Sequence, residues 1–326
     1  MKAFFRQFDA VDHQLENVYI RWVFQSSRPL VSLTELALIA TWRACYALER
    51  FVPRLRDLRE QSMLNVYLGA WLADSELRSQ IAALRNEAQY KTEGAGIDVG
   101  FAPLPDRPIK EWAVLSEWFK DPKTRLHMQM YLKVVSVTPL AEKTVLEVGC
   151  GQGDGAAFLS QTLLPSRYVG VDLHPTQIGL CGRRFAHLAP RLSFQRAAAQ
   201  RLPFAQGAFD AVVNVESAHS YPQFDEFITE VFRVLKPGGS FCFADLRKPV
   251  AGAESCVDQF QRIFERAGFT IAQHEDITKN AWQSLDELRL ILGGRLWPEW
   301  ESLRHLFGSR ELEYHWYVLT KAEARS

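Results

Sequence analysis

The sequence predicts an α/β fold, with a mainly parallel sheet covered on both faces and a helical extension ahead of it. Strand and helix patterns alternate from about residue 115 onward, and the segments between most strands are long enough for a crossover helix. Before that point, residues 1–95 show helical periodicity with no strand alternation. With 326 residues, 47% of them hydrophobic and 23% charged, the chain holds enough for one large domain and an appendage.

The extension carries its own signals. Ser32 to Glu35 (SLTE) is a capping box opening a helix that Pro53 stops, and Leu77, Ile81 and Leu84 share one face of a second helix. Residues 1–95 are expected to serve as a lid, a homodimer surface or a docking face for a carrier protein or synthase. Residues 96–114, in a stretch rich in glycine and proline, are expected as a linker, and residues 115–326 as the α/β domain.

Charge and cysteine usage narrow the partners. Lys+Arg and Asp+Glu are equal at 38 each, so no overall field draws the chain to nucleic acid or an anionic membrane, which favours a neutral or apolar partner. The apolar run Leu36 to Trp42 ends at Arg43, far short of a membrane span. Cys45, Cys150, Cys181, Cys242 and Cys256 are widely spaced with no Cys-x-x-Cys, which suggests neither a disulfide framework nor a zinc site. The chain therefore reads as cytoplasmic.

Within the α/β region the most informative stretch is VLEVGCGQGDG, Val145 to Gly155. An apolar strand runs into Gly149, Gly151 and Gly153, and a helix is expected from about Ala156. Glycines at alternate positions allow a sharp turn and the approach of a ligand to the main chain. A dinucleotide fingerprint would want its third small residue where Asp154 stands, and Gly-Lys-Ser/Thr is absent. Glu147 adds negative charge at the strand end, which suits a cationic ligand better than a phosphate. A second apolar strand ends in Asp172, 25 residues after Glu147, where a carboxylate can accept from both hydroxyls of a ribose.

Taken with "QRLPF" (Gln200 to Phe204), "FDAVVNVESAHSYP" (Phe209 to Pro222) and "VLKPGGSFCFADL" (Val234 to Leu246), these motifs resemble the class I S-adenosylmethionine-dependent methyltransferases. The closer likeness is to bacterial small-molecule O-methyltransferases of phenolic or polyketide lipids. The resemblance implies a Rossmann-like sheet of seven strands, the last antiparallel and inserted beside the fifth. It implies that Gly149, Gly151 and Gly153 line the methionine part of S-adenosyl-L-methionine and that Asp172 holds its ribose. Leu173 would flank the adenine, Ala199 and Gln200 would lie at its edge, and Asn214 would sit under the methionine amino group. Glu147 belongs to the same motif, and Gln129 and Tyr131, on the helix before the first strand, would close over the cofactor. One position departs from the family pattern, because Ala198 stands where an acidic residue usually bonds the adenine amino group.

Methyl transfer to a hydroxyl needs an acceptor held in line and a group that removes its proton. His219 lies just past the fourth predicted strand and Asp245 ends the fifth, on the side where open α/β sheets bind ligands. Resemblance to O-methyltransferases with a histidine and an acid at these places makes His219 the expected base and Asp245 its partner. A pocket-shaping role for His219 stays open, and some relatives place the working histidine one residue later, at Ser220. Tyr221 reads as packing or an orienting hydroxyl, His174 as a loop residue and Glu216 as support. No metal-ligand spacing appears. Residues 277–307 should form helices over a hydrophobic acceptor, with Trp282, Trp297 and Trp300 either lining it or packing. C- or N-methylation, or a pericyclase-like or binding role that retains the cofactor, stands as the alternative to O-methylation.

Overall fold

The computed structural model describes residues 100–102, 118–247, 256–291 and 298–323. The expected helices of residues 1–95, most of the 96–114 segment, Trp297 and the side chain of Trp300 lie outside the described residues. The described chain runs α1 (Pro122–Val135), β1 (Thr144–Val148), α2 (Asp154–Thr162), β2 (Arg167–Asp172), α3 (Pro175–Arg184), β3 (Leu192–Arg196) and β4 (Phe209–Val215). It continues through a one-turn 3-10 helix (Ala218–Ser220), α4 (Phe224–Val234), β5 (Leu235–Arg247), α5 (Cys256–Ala267), β6 (Phe269–Asp276), α6 (Thr278–Ile291), α7 (Pro298–Gly308) and β7 (Glu313–Lys321).

The strands form a seven-stranded sheet in the order β3-β2-β1-β4-β5-β7-β6, parallel except for β7, which runs antiparallel between β5 and β6. This is the Rossmann-like arrangement expected from the sequence. From β1 the chain crosses to β2 on one side and later to β4 on the other. The carboxyl ends of β1 and β4 therefore bracket the switch point at which open α/β sheets leave a crevice for ligands.

Local chemistry sets the element ends. Asp121 caps α1 by accepting from the backbone N–H of Thr124 at 2.9 Å, and Pro122 follows at a position that has no use for an N–H. The helix expected from about Ala156 begins two residues earlier, at Asp154, directly after left-handed Gly153. Strand β5 also starts earlier than its apolar run. Leu235 already pairs with Phe209, and the Lys-Pro-Gly-Gly stretch is absorbed as an irregularity before Ser240 pairs with Ala211.

Two apolar layers cover the sheet. On one face Leu126, Met130 and Val134 of α1, Phe158 of α2 and Leu285 and Leu288 of α6 pack on Val145, Val213 and Ala244. On the other, Phe227 and Val231 of α4 and Phe260 and Phe264 of α5 pack on Phe241, Phe243 and Tyr317. Phe260 and Phe264 stack with ring centroids 5.8 Å apart, so truncating either would cost roughly 3–5 kcal/mol. Residues 100–102 do not behave as a solvated linker. Phe101 is buried, its N–H donates to Leu126 O at 3.0 Å, and Asn280 Nδ2 donates to Ala102 O at 2.7 Å, so these residues join α1 to α6. Among the described residues, no helix is long and apolar enough to cross a membrane.

Candidate active site

The loop from Gly149 to Gly153 closes the switch point. The backbone N–H groups of Gly149 and Cys150 both donate to Val171 O, at 2.8 and 3.0 Å, and tie the loop to the end of β2. Gly149, Gly151 and Gly153 have φ of 77°, 52° and 81°, so every second residue is left-handed and side chains are disfavoured there. The space beside them differs. A Cβ on Gly149 would strike the hydroxyls of Ser217 and Tyr221, and one on Gly153 would strike Phe194 and Cys181 at about 3 Å. At Gly151 the nearest atom would be Gln177 Oε1 at 3.6 Å. Two of the three glycines thus make way for the protein's own side chains, while Gly151 faces open space.

The carboxylates around the loop also divide. Glu147 is fully buried behind it, accepting from Tyr131 Oη and Tyr168 Oη, each at 2.9 Å. The resemblance set Glu147 and Tyr131 at the cofactor, and the fold joins these two to each other, with the Tyr131 ring over Gly155. Asp154 is held by Arg184, whose two terminal nitrogens donate to it at 2.7 and 3.0 Å while one also reaches Gln152 O at 3.2 Å. Asp172 is therefore the carboxylate that fronts the loop. Its oxygens accept from the N–H groups of Gly151 (3.1 Å) and His174 (2.9 Å), and burial pushes its pKa up while those N–H groups pull it back.

Burial pushes the Glu147 carboxyl up to about 7, although the two tyrosine hydroxyls favour its ionised form. The fold thus prefers the neutral acid. The stability this contributes is complete below the ordinary glutamate value of 4.5 and is lost as pH rises through about 7. Glu147→Gln stays neutral throughout, so the fall in urea stability between pH 5 and 8 is expected to shrink by up to about 3 kcal/mol. Equal pH dependence in the two proteins would refute the assignment.

Beside Asp172, at the ends of β2 and β3, lie Leu173, which is 51% exposed, buried Ala199 and half-buried Gln200. Ala198 forms an isolated bridge with Arg201. At the end of β4, Asn214 is fully buried, and its Nδ2 donates to Val148 O and Ser217 Oγ, both at 2.8 Å. Ser217 and Tyr221 escaped a cofactor-side reading because a hydroxyl gives no signal of where its residue points.

Across the crevice His219 and Asp245 come together. Asp245 is 1% exposed and meets His219 twice, accepting the backbone N–H at 2.9 Å and approaching Nδ1 to 2.7 Å. It also accepts from its neighbour Leu246 N–H at 2.7 Å. An ionised carboxylate only accepts, so Nδ1 carries the proton in this pair. Glu216, just before the turn, is left-handed (φ 44°) and accepts from Tyr314 Oη at 3.1 Å, as befits a supporting residue. His174 precedes α3 with its N–H bound to Asp172. Trp282 packs on Gly308 of α7. A groove of about 510 Å³ opens beside the turn, lined by Tyr221, Phe224, Arg247, Phe260 and Ile263 among others, with the Arg247 guanidinium over the Phe224 ring at 4.7 Å. Among the described residues, no group of three or more His, Cys, Asp or Glu could hold a metal ion.

Residues 145–239 match a methyltransferase domain family. The phthiotriol/phenolphthiotriol dimycocerosates methyltransferase of Mycobacterium leprae is 45% identical over 190 residues, 54% of this chain and 68% of that protein. The chain belongs to the class I S-adenosylmethionine-dependent methyltransferases. A fatty-acid O-methyltransferase of Mycolicibacterium smegmatis is 47% identical over 127 residues, 39% of this chain and 46% of that protein. In fold, this methyltransferase matches the geranyl diphosphate C-methyltransferase of Streptomyces coelicolor, solved with S-adenosyl-L-homocysteine. That match has a TM-score of 0.57 at 18% identity and covers 75% of this chain and 98% of the other.

S-adenosylmethionine is the cofactor of this methyltransferase, and the residues present fit it. Gly151 leaves open space over its main chain, Asp172 fronts that space, and Asn214 Oδ1 is a buried acceptor with no hydrogen-bond partner. When bound, the cofactor supplies an electrophilic methyl group on a sulfonium.

Proposed function

We propose that this methyltransferase transfers the methyl group to a hydroxyl oxygen of a hydrophobic small molecule, such as a polyketide or phenolic lipid, with His219 as general base. The observation that carries the reading is the His219–Asp245 pair at the carboxyl ends of β4 and β5. Asp245 holds the imidazole in the tautomer that leaves Nε2 basic. Nε2 takes the acceptor's hydroxyl proton as the oxygen gains the methyl group, and Asp245 then steadies the imidazolium. Asp172 and the Gly151 main chain would hold the ribose side of the cofactor, Leu173, Ala199 and Gln200 the adenine, and Asn214 the amino group. Glu147 and Tyr131 support the loop from behind.

Support for an apolar acceptor comes from the lipid named for the leprae relative, whereas the groove next to Tyr221 is of mixed character, with Gln223, Asp225, Glu226, Arg247 and Gln259 beside Phe224, Phe260 and Ile263. Residues 1–95 are proposed as a lid, a homodimer surface or a docking face for a carrier protein or synthase. The reading is tested with labelled S-adenosylmethionine, a panel of long-chain alkylphenols and diols, and mass spectrometry of the products. A methyl ether is the expected product, formed from free hydroxyls and not from the same compounds already O-methylated. Label found only on carbon or nitrogen would overturn O-methylation.

A further inference from the structure

Ala218 to Ser220 form a single 3-10 turn, and the residues on either side of it reach in the opposite direction from His219. His219 reaches forward to Asp245, while Ser217 and Tyr221 reach back to the glycine loop. The turn is therefore strung between two anchors. At the rear one, Ser217 Oγ and Tyr221 Oη stand 3.0 Å apart and fill the space beside Gly149.

Counting protons shows what this rear anchor has left over. Val148 O can only accept, so the Asn214 amide must present its nitrogen there, and the second Nδ2 hydrogen is directed at Ser217 Oγ at 2.8 Å, with Tyr221 Oη a longer acceptor at 3.3 Å. Ser217 then donates to Tyr221, and the Tyr221 proton is left for a group outside the cluster. The reverse order would send the Ser217 proton to Val148 O across a longer 3.4 Å contact. Asn214 Oδ1, turned the other way, is a buried acceptor without a partner. Burial raises the Tyr221 pKa, which keeps the hydroxyl a donor. One spare acceptor and one spare donor beside a glycine main chain match the ammonium and carboxylate of an amino acid, the methionine end of the cofactor.

We propose that Ser217 and Tyr221 are positioning residues that engage the amino-acid end of the cofactor together with Asn214 and, through the turn they bracket, set the place of His219. Loading of the cofactor thereby prepares the base before the acceptor arrives. The proposal rests on the reading of His219 as the base, and its test does not need an acceptor.

S-adenosylhomocysteine is titrated calorimetrically into wild type, Tyr221→Phe and Ser217→Ala, and histidine ring signals are followed by NMR, His219 being identified by its absence in His219→Ala. Tyr221→Phe keeps the edge-on contact with Phe227, whose centroid lies 4.9 Å away, so the fold is retained. Expected are a rise in Kd of about fivefold in each variant and loss of most of the ligand-induced shift of His219 seen in wild type. A Tyr221→Phe protein that binds within twofold of wild type overturns the proposal. So does weaker binding with the full His219 shift, which would make Tyr221 a contact and not a positioner. Should His219→Ala turn over normally, the base reading fails on its own, while Kd and the ring shift still decide whether the two hydroxyls act on the turn.

Discussion

His219→Ala is expected to lower kcat by about 10²–10⁴, with S-adenosylmethionine affinity close to wild type. The size follows from what is removed. An acceptor hydroxyl is a weak nucleophile until its proton leaves, and Asp245, 2.7 Å from Nδ1, would hold the ring in the tautomer that the proposed base needs. The sparing of cofactor binding follows from location, since the ring turns towards Asp245 at the end of β5 and away from the loop after β1. Asp245→Asn gives a second reading of the same device. An amide can present its NH2 to Nδ1 and invert the tautomer, which puts the proton on Nε2 and should cost activity without removing the imidazole. Asp245→Ala is the poorer variant, because the backbone N–H groups of His219 and Leu246 would both lose their acceptor, at a stability cost of about 1–3 kcal/mol each. Turnover in His219→Ala within a few-fold of wild type, measured with saturating cofactor, would leave proximity as the source of the rate and His219 as part of the pocket wall.

What the sequence made legible was whatever depends on position along one strand. Apolar runs ending in Gly149, Asp172, Asn214 and Asp245 mark carboxyl strand ends, and a parallel sheet gathers those ends on one edge whatever the details of packing. His219 and Asp245 could therefore be paired before any coordinates existed. Contacts that depend on the roll of a helix or on strand register were not legible. Glu147 pairs across the sheet with Gly170, so Tyr168, two residues earlier on β2, lies on its face, but that register cannot be read from either strand alone. The grip of Arg184 on Asp154 spans 30 residues and joins the end of α3 to the start of α2. That ion pair accounts for the Asp154 carboxylate within the protein and leaves Glu147, held by two tyrosine hydroxyls, as a separate case. The hydroxyls of Ser217 and Tyr221 were hidden for the same reason. The left-handed Glu216 redirects the chain just before them, and nothing in Val-Glu-Ser announces a positive φ.

Asp172→Ala should weaken S-adenosylmethionine binding by about 10²–10⁴ in a calorimetric titration. On the proposed ribose contact, two charge-assisted hydrogen bonds to the vicinal hydroxyls would contribute roughly 1.5–3 kcal/mol each, and both would vanish with the carboxylate. A further loss comes from the loop itself, because Gly151 N–H and His174 N–H both use Asp172 as their acceptor and the open cradle at Gly151 is shaped by the first of these. The unliganded variant should therefore melt lower than wild type, and the two effects separate by comparing Asp172→Asn, which keeps one acceptor oxygen for the backbone but no charge for the ribose. The resemblance places an acidic side chain before Ala199 where Ala198 stands, and a bond of about 1–3 kcal/mol would be forgone there unless half-buried Gln200 or water supplies it. Without that compensation the proposed ribose carboxylate would carry a larger share of affinity here than in a relative that has both. Wild-type affinity in Asp172→Ala would shift that weight to the glycine loop and Asn214 and withdraw the ribose assignment. A loss at the upper end of the range would indicate that Ala198 has concentrated cofactor recognition on this single carboxylate.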